Sequence, residues 1–220
     1  MPKVYYTAGI HPHDANSYDE QTLQTIERLL REDKQCVALG ELGLDYDRMF
    51  SSKEQQLFCL RELLKLSKKL GTIPLFLHER DRGRSPLGSD QDLLHILDEF
   101  NVDPSTVCIH CFTGDKEVLQ EYVRRGYYVG LTGFLGIPQR SGHLRSCLRD
   151  ILPLERLMLE TDSPFMKPED KHVENIGLKG KRNEPCSMPG VCRAIAEVYG
   201  KSPEEVAGIT TKNAIRFFGL

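Results

Sequence analysis

Short apolar runs rich in β-branched residues alternate along this chain with longer segments of helical period, and this alternation limits the possible folds. It is typical of repeated βα units, which build a parallel sheet. The predicted strands are Val4–Gly9, Cys36–Gly40, Ile73–Leu77, Thr106–Ile109, Tyr127–Leu131 and Arg156–Thr161. Helices are predicted near residues 19–32, 53–70, 90–100, 115–125, 140–151, 188–199 and 203–218. The sequence therefore predicts an α/β fold.

We predict one domain over residues 1–220, because no internal repeat, low-complexity tract or linker marks a boundary. Two stretches have neither helical nor strand period, residues 79–89 and residues 163–186. Loops of this length in compact domains are often functional.

The formal net charge of −3 gives no global basic field. A nucleic-acid partner would therefore be bound by local basic loops and metal ions. No run approaches the roughly 18 apolar residues of a membrane span, and the N-terminal residues lack the apolar stretch of a signal peptide, so we expect a cytoplasmic or nuclear protein. The 7 cysteines lie mostly in apolar stretches, which predicts reduced thiols packed in a core and no disulfide framework.

Polar residues follow most of the predicted strands. In parallel βα proteins the active site forms at the carboxyl ends of the strands. A single histidine there is more often a hydrogen-bonded loop residue, but several ionisable groups facing one another incur a desolvation penalty unless they are paired or bind a metal. The residues at these ends are His11-Pro12-His13, Glu41, His78, His110 and Asp162. We therefore predict a metal site built from the last four.

The mixture of imidazole and carboxylate groups suits Zn, Mn, Fe or Mg, and the lack of a cysteine cluster argues against an all-sulfur zinc site. One ion or two would fit. A carboxylate such as Glu41 can bridge two divalent ions about 3.5–4 Å apart, an arrangement that serves phosphoester displacement.

Six short motifs follow one another along the chain. They are Gly9-Ile10-His11-Pro12-His13, Gly40-Glu41-Leu42-Gly43-Leu44-Asp45, Leu77-His78, Ile109-His110-Cys111-Phe112-Thr113-Gly114, Glu160-Thr161-Asp162-Ser163-Pro164 and Arg182-Asn183-Glu184-Pro185. In this order they resemble the motifs of the TatD-type metal-dependent deoxyribonucleases, with the closest likeness to a vertebrate TatD-domain protein. The resemblance implies a (β/α) TIM barrel of the amidohydrolase-like metal-dependent hydrolase type. It also implies hydrolysis of DNA phosphodiester bonds, commonly as a 3′–5′ exonuclease, with DNA as the substrate and no membrane or protein partner indicated.

The resemblance also implies roles for single residues. Glu41 would bridge two divalent ions, which could be Mg, Mn or Zn, and His78 and His110 would complete one of the two sites. Asp162 would bind the other ion and accept a proton from the attacking water. The residues implied to lie beside the substrate phosphate, or in a loop over it, are His11, Phe112, Thr113, Gly114, Arg182, Asn183 and Glu184.

The chain departs from the family pattern at its N-terminus. TatD proteins begin with a strand that ends in His-x-His and binds one of the metals, and no such strand precedes Met1. We therefore expect a barrel without its first two βα units and with one metal site incomplete. Two alternatives remain open: a truncated, weakly active or inactive isoform that acts as a non-catalytic binding protein, and a hydrolase of another ester or amide bond on the same scaffold.

Several weaker features are interpreted more simply. Charged loops are usually just solvated, but two basic groups would rim the site, a position that suggests phosphate contacts. Asp45 and Glu160 could each orient a metal ligand or accept a structural hydrogen bond. Cys108 and Cys111 are expected to be a core residue and a wall of the site rather than a redox pair. The basic groups are Arg80, Arg82 and Arg84, and Lys179, Lys181 and Arg182. The remaining histidines, predicted to be surface or loop residues, are His95, His143 and His172.

Overall fold

The computed structural model describes residues 3–82, 86–174, 177–178 and 180–220. Within these ranges all six predicted strands are present, several with different ends. They are β1 (Tyr6–Ala8), β2 (Cys36–Asp45), β3 (Leu75–Arg80), β4 (Val107–His110), β5 (Tyr128–Leu131) and β6 (Leu157–Leu159). Arg84 and Lys179, two of the basic residues considered above, lie outside the described residues.

The α-helices of the described ranges include six of the seven predicted ones. They are α1 (Glu20–Glu32), α2 (Lys53–Leu70), α3 (Ser89–Glu99), α4 (Lys116–Arg125), α5 (Pro138–Arg145), α6 (Leu148–Ile151), α7 (Asp170–Val173), α8 (Met188–Tyr199) and α9 (Pro203–Phe218). Of these, α7 lies in the stretch 163–186, which was predicted to have no helical period. None of them is long and apolar enough to span a membrane.

The prediction of one continuous helix over residues 140–151 is wrong, because the segment forms α5 and α6 with a break at Cys147. The backbone φ of Cys147 is −123°, outside the helical range. Its thiol donates to the backbone oxygens of His143 and Leu144, both at 3.4 Å. Side-chain bonds to nearby carbonyls compete with the helical pattern.

The chain divides into two compact units, and the first contains the described residues up to His110 together with Phe217–Gly219. In this unit β1 pairs with β2, β2 with β3 and β3 with β4, all parallel. Leucines with no exposed surface fill the interior of the sheet, and burying each stabilises the fold by about 1.5–3 kcal/mol. These are Leu39, Leu42, Leu44, Leu75 and Leu77.

Strand β2 is longer than predicted, since it continues from Gly40 through Glu41 to Asp45. The pairing of β2 with β3 shifts at Glu41: Gly40 pairs with Phe76, and Leu42 pairs with the next residue, Leu77. This irregularity is a β-bulge, which re-aims the side chain of the extra residue. Glu41 is therefore partly exposed between buried neighbours, and it lies inside β2 rather than at its end.

The second unit contains residues 111–216 and Leu220. Strands β5 and β6 pair in parallel here, with Gly130 opposite Met158. The side-chain amide of Asn213, on α9, donates to the backbone oxygens of Leu154 and Leu157 at 2.7 and 2.9 Å. These two bonds fasten α9 to the start of β6.

All 7 cysteines are free thiols, as predicted, and four of them are buried.

Candidate metal centre

Three neighbouring strands of the first unit bring a carboxylate and two imidazoles together. Glu41 lies on β2, His78 inside β3 and His110 at the last position of β4, where His78 and His110 are directly paired. The Oε2 of Glu41 is 3.8 Å from Nδ1 of His78 and 3.8 Å from Nε2 of His110. One ligand atom from each residue lies within 4.8 Å of the others. Three donors thus face one point, as in a site for a single cation.

Asp45 fixes the orientation of His78. This fully buried carboxylate closes β2, and its Oδ2 is 2.6 Å from Nε2 of His13 and 3.2 Å from Nε2 of His78. Burial raises the pKa of Asp45, but hydrogen bonds from the two rings and from a backbone amide outweigh it and hold the pKa well below its usual range. An ionised carboxylate can only accept, so Nε2 of His78 carries the proton and Nδ1 offers its lone pair to the Glu41 side.

His11 touches the same three-residue cluster. Its Nδ1 accepts from the backbone amide of His13 at 3.1 Å, at the start of a 3₁₀ turn over Pro12–Ser17. That bond directs Nε2 inward, to 3.5 Å from Glu41 Oε2 and 3.3 Å from His78 Nδ1. Burial and the nearby rings of His78 and His13 lower the pKa of His11 to about 3. The ring is therefore neutral near neutral pH, and because Nδ1 accepts the His13 amide, its proton lies on Nε2, which points toward Glu41 and His78.

Asp162 belongs to the second unit, beyond the end of β6, which stops at Leu159 rather than at Thr161 as predicted. It has a left-handed φ of 50°, and its backbone oxygen accepts from the amide of Phe165 at 2.7 Å. The Sγ of Cys111 lies 3.5 Å from Asp162 Oδ2. Burial, with the carboxylates of Asp162 and Glu160 nearby, raises the pKa of Cys111, so the thiol stays protonated and donates. Cys111 therefore forms a wall beside Asp162.

Glu160 is held in place next to this aspartate. Its backbone amide donates to Leu131 O at 3.0 Å, and its Oε2 accepts from the amide of Cys111 at 2.9 Å. The carboxylate passes directly over Gly130, where any Cβ would overlap it. Glu160 is thus a structural acceptor that fixes the backbone of Cys111.

The residues expected near a substrate differ in exposure. The ring of Phe112 is buried against Tyr122, with ring centroids 5.9 Å apart, so Phe112 can face a ligand only through its backbone. Its neighbours Thr113 and Gly114 are half-buried. Asn183 is also buried, and its amide donates to Thr161 O at 2.7 Å. Asn183 therefore fastens the segment that carries Asp162.

The flanking residues of Asn183 are different, since Arg182 and Glu184 are exposed. Arg82 and Lys181 are exposed as well, whereas Arg80 lies 3.6 Å from Asp47. The described part of both basic groups therefore offers cationic side chains to solvent.

Of the three histidines predicted to be surface or loop residues, His95 and His143 are exposed. The prediction is wrong for His172, whose side chain is only 3% exposed. His172 lies on α7, and its backbone oxygen accepts from Arg193 of α8. The charged residues around it in sequence concealed that α7 packs on α8.

Sequence reasoning also missed the contacts of His11 and His13 with the cluster. The His-Pro-His spacing was visible, but the capping bond that turns the His11 ring inward depends on the backbone of a 3₁₀ turn.

Comparison with known proteins gives a consistent result over the whole chain. The profile of the family described as TatD related DNase matches residues 1–219. The 3′-5′ ssDNA/RNA exonuclease TatD of Cronobacter sakazakii is 36% identical over 212 residues, which are 96% of this chain and 76% of that protein. The protein of the same name from Erwinia tasmaniensis is 36% identical over 214 residues, covering 97% of this chain and 78% of the relative.

Solved structures agree. The Escherichia coli TatD homologue YJJV superposes with a TM-score of 0.79 at 28% identity, over 98% of this chain and 77% of that one. A TatD family hydrolase from Entamoeba histolytica gives a TM-score of 0.80 at 28% identity, over 98% and 75%. The predicted (β/α) TIM-barrel type of fold is thereby confirmed. With a family profile over nearly all of its length and relatives above 30% identity, the chain belongs to the TatD-related DNase family and is a hydrolase of DNA ester bonds.

Proposed function

We propose that this chain is a divalent-metal-dependent deoxyribonuclease that removes nucleotides from the 3′ end of single-stranded DNA. The observation that carries the proposal is the convergence of Glu41, His78 and His110, with one donor atom from each within 4.8 Å of the others. The exonuclease names of its relatives support the 3′–5′ direction and the preference for single strands.

The donor set fits a divalent cation. Carboxylate oxygen and neutral imidazole nitrogen are ligands of Zn and Mn, and Mg takes carboxylate oxygen readily. Glu41, His78 and His110 would hold one ion, and Glu41 would also serve a second ion, as the family resemblance implies. A cation in this position supplies Lewis-acid activation of water and stabilises the charge that builds up on the phosphate.

Two carboxylates would serve the reaction in different ways. Asp45 would act through His78, because its bond to Nε2 leaves the Nδ1 lone pair on the side of Glu41, free to bind a cation. Asp162 would accept the proton of the attacking water, as a general base does. The Cys111 thiol beside Asp162 stays neutral and adds no competing negative charge.

Exposed cationic side chains would hold the nucleic-acid backbone. The net charge is −3, so the chain has no general attraction for DNA. Arg82, Lys181 and Arg182 are exposed and can each neutralise a phosphate. Binding would therefore weaken as salt rises, with a slope set by the number of such contacts.

A cleavage assay tests the proposal. Single-stranded and double-stranded DNA, labelled at the 5′ end, is incubated with the chain and with Mg²⁺, Mn²⁺ or Zn²⁺ in turn. We expect a ladder of products shortened from the 3′ end on single strands with at least one of these ions.

Variants identify the site responsible. We expect Glu41→Ala to lose the ladder and Glu32→Ala, a change of an exposed glutamate at the end of α1, to keep it. Absence of cleavage with every ion, or a ladder that survives Glu41→Ala, would show the proposal to be wrong.

A further inference from the structure

A row of aromatic rings leads from the metal cluster to the surface of the first unit. The ring centroids of His78 and His11 are 4.6 Å apart, those of His11 and His13 are 4.3 Å apart, and those of His13 and Phe50 are 4.8 Å apart. The inner rings contact Glu41. The outer ring, Phe50, is 68% exposed. The ring centroids of His13 and His78 are also 6.0 Å apart, so by this shorter path two ring contacts lead from the exposed Phe50 to His78, a candidate metal ligand.

The backbone next to Phe50 is firmly held, although its ring faces solvent. The following residue, Ser51, is fully buried. Its hydroxyl donates to His13 O at 2.8 Å and accepts from the amide of Asn16 at 3.0 Å. The side chain of Asn16 also donates to Phe50 O, at 3.4 Å. These bonds tie the β2–α2 loop to the 3₁₀ turn that carries the histidines, so the position of Phe50 relative to the cluster is fixed.

Single exposed apolar residues are common and need no explanation by themselves. Phe58 is an example in the same unit: it is 46% exposed on α2, and its ring packs edge-on against Tyr18 at 5.2 Å. Phe50 differs because its aromatic neighbour is His13, whose Nε2 bonds the same Asp45 oxygen that orients His78. The exposed face of Phe50 therefore lies beside the residues that orient a candidate metal ligand.

We propose that Phe50 is a stacking platform for a nucleobase of the single-stranded substrate, next to the nucleotide whose phosphate lies at the Glu41–His78–His110 cluster. This inference rests on the proposed function. The rings of Phe50 and His78 both lie within 6.0 Å of the His13 ring, so a strand whose phosphate lies at the cluster would bring a neighbouring base near Phe50. An aromatic ring binds every base through its π-face and so gives affinity without sequence preference. Bases of a duplex are already stacked and paired, so the platform selects single strands.

Kinetics on matched substrates test the platform. One substrate is an oligothymidylate, and the other is the same strand with its two 3′-terminal nucleotides made abasic. Stacking on a protein ring changes affinity by an amount that corresponds to roughly tenfold per base. We expect Phe50→Ala and Phe50→Leu to raise KM about tenfold on the intact strand, with kcat little changed, and Phe50→Trp to keep the original KM.

The abasic strand separates stacking from a structural role. For the unaltered chain we expect its KM to be as high as that of Phe50→Ala on the intact strand, and we expect Phe50→Ala to cause no further rise. Phe58→Ala is the matched control and should leave KM unchanged on both substrates.

Two results would overturn the inference while the proposed function stands: an unchanged KM for Phe50→Ala on the intact strand, or an equal rise on both strands, which would indicate a structural effect. Absence of cleavage by the unaltered chain would remove the proposed function and this inference with it.

Discussion

Replacing Asp45 by Asn tests how the protein orients its central histidine. The change keeps the shape of the side chain but turns one oxygen into an NH₂ group, which donates and cannot accept. The Asp45 carboxylate accepts from the backbone amides of Asp47 and Arg48 at 3.1 and 2.8 Å through Oδ1, and from two histidine rings through Oδ2. In the variant, the side-chain oxygen of Asn would keep accepting from the two backbone amides. Its NH₂ group would then face the rings of His13 and His78.

The consequence for His78 follows from its tautomers. An NH₂ group opposite Nε2 requires that nitrogen to be the acceptor, so the proton moves to Nδ1, the atom that faces Glu41. A protonated Nδ1 cannot bind a cation. Loss of such an orienting partner typically lowers metal affinity by about 10–100-fold. The buried amide with poorly matched partners also lowers the free energy of unfolding, by about 1–3 kcal/mol.

The assay is a titration with Mn²⁺ in competition with a chelator, together with thermal unfolding in the absence of metal. Asp47→Asn is the matched control, since Asp47 is exposed and its Oδ2 lies 3.6 Å from Nε of Arg80. Metal affinity in Asp45→Asn equal to that of the unaltered chain would refute the tautomer argument. So would an equal loss in Asp47→Asn.

Two further predictions concern packing and thiol chemistry. Gly43 has a φ of +141°, and a Cβ there would overlap the backbone oxygen of His78, so Gly43→Ala should lower the free energy of unfolding by at least about 2 kcal/mol. Gly208→Ala, in α9 with open space around it, should instead raise the free energy of unfolding by up to about 1 kcal/mol. Denaturant unfolding measures both changes, and a Gly43→Ala variant as stable as the unaltered chain would contradict the prediction. Burial, with Glu62 nearby, raises the pKa of Cys59 to about 12, whereas Cys186 is exposed, so a thiol reagent at mildly alkaline pH should label Cys186 first and leave Cys59 unlabelled until the chain unfolds. Early labelling of Cys59, located by mass spectrometry, would show that α2 opens in the native state.

Much of the fold could be predicted from the sequence because its units are local. Each strand is a short apolar run, and the long helices have an apolar face, so periodicity located them. The break at Cys147 and the burial of His172 could not be predicted in this way. Both depend on contacts that form only once the chain has folded, a thiol bond to the preceding turn in one case and the packing of α7 on α8 in the other.

The candidate site was predictable in its residue types but not in its geometry. Glu41 and His78 were expected to follow their strands, and both lie within them. The predicted strand ended at Gly40, whereas β2 continues to Asp45 through a bulge at Glu41. A bulge is set by the pairing of two strands distant in sequence, so no local pattern reveals it.

The central claim is that Glu41, His78 and His110 together hold a divalent cation. The most direct test is an electron paramagnetic resonance titration with Mn²⁺, in which the signal of the free ion falls as the protein binds it. We predict that the unaltered chain and Glu32→Gln bind at least one ion per molecule at the same concentration, and that Glu41→Gln does not. Binding by Glu41→Gln with undiminished affinity and stoichiometry would contradict the claim.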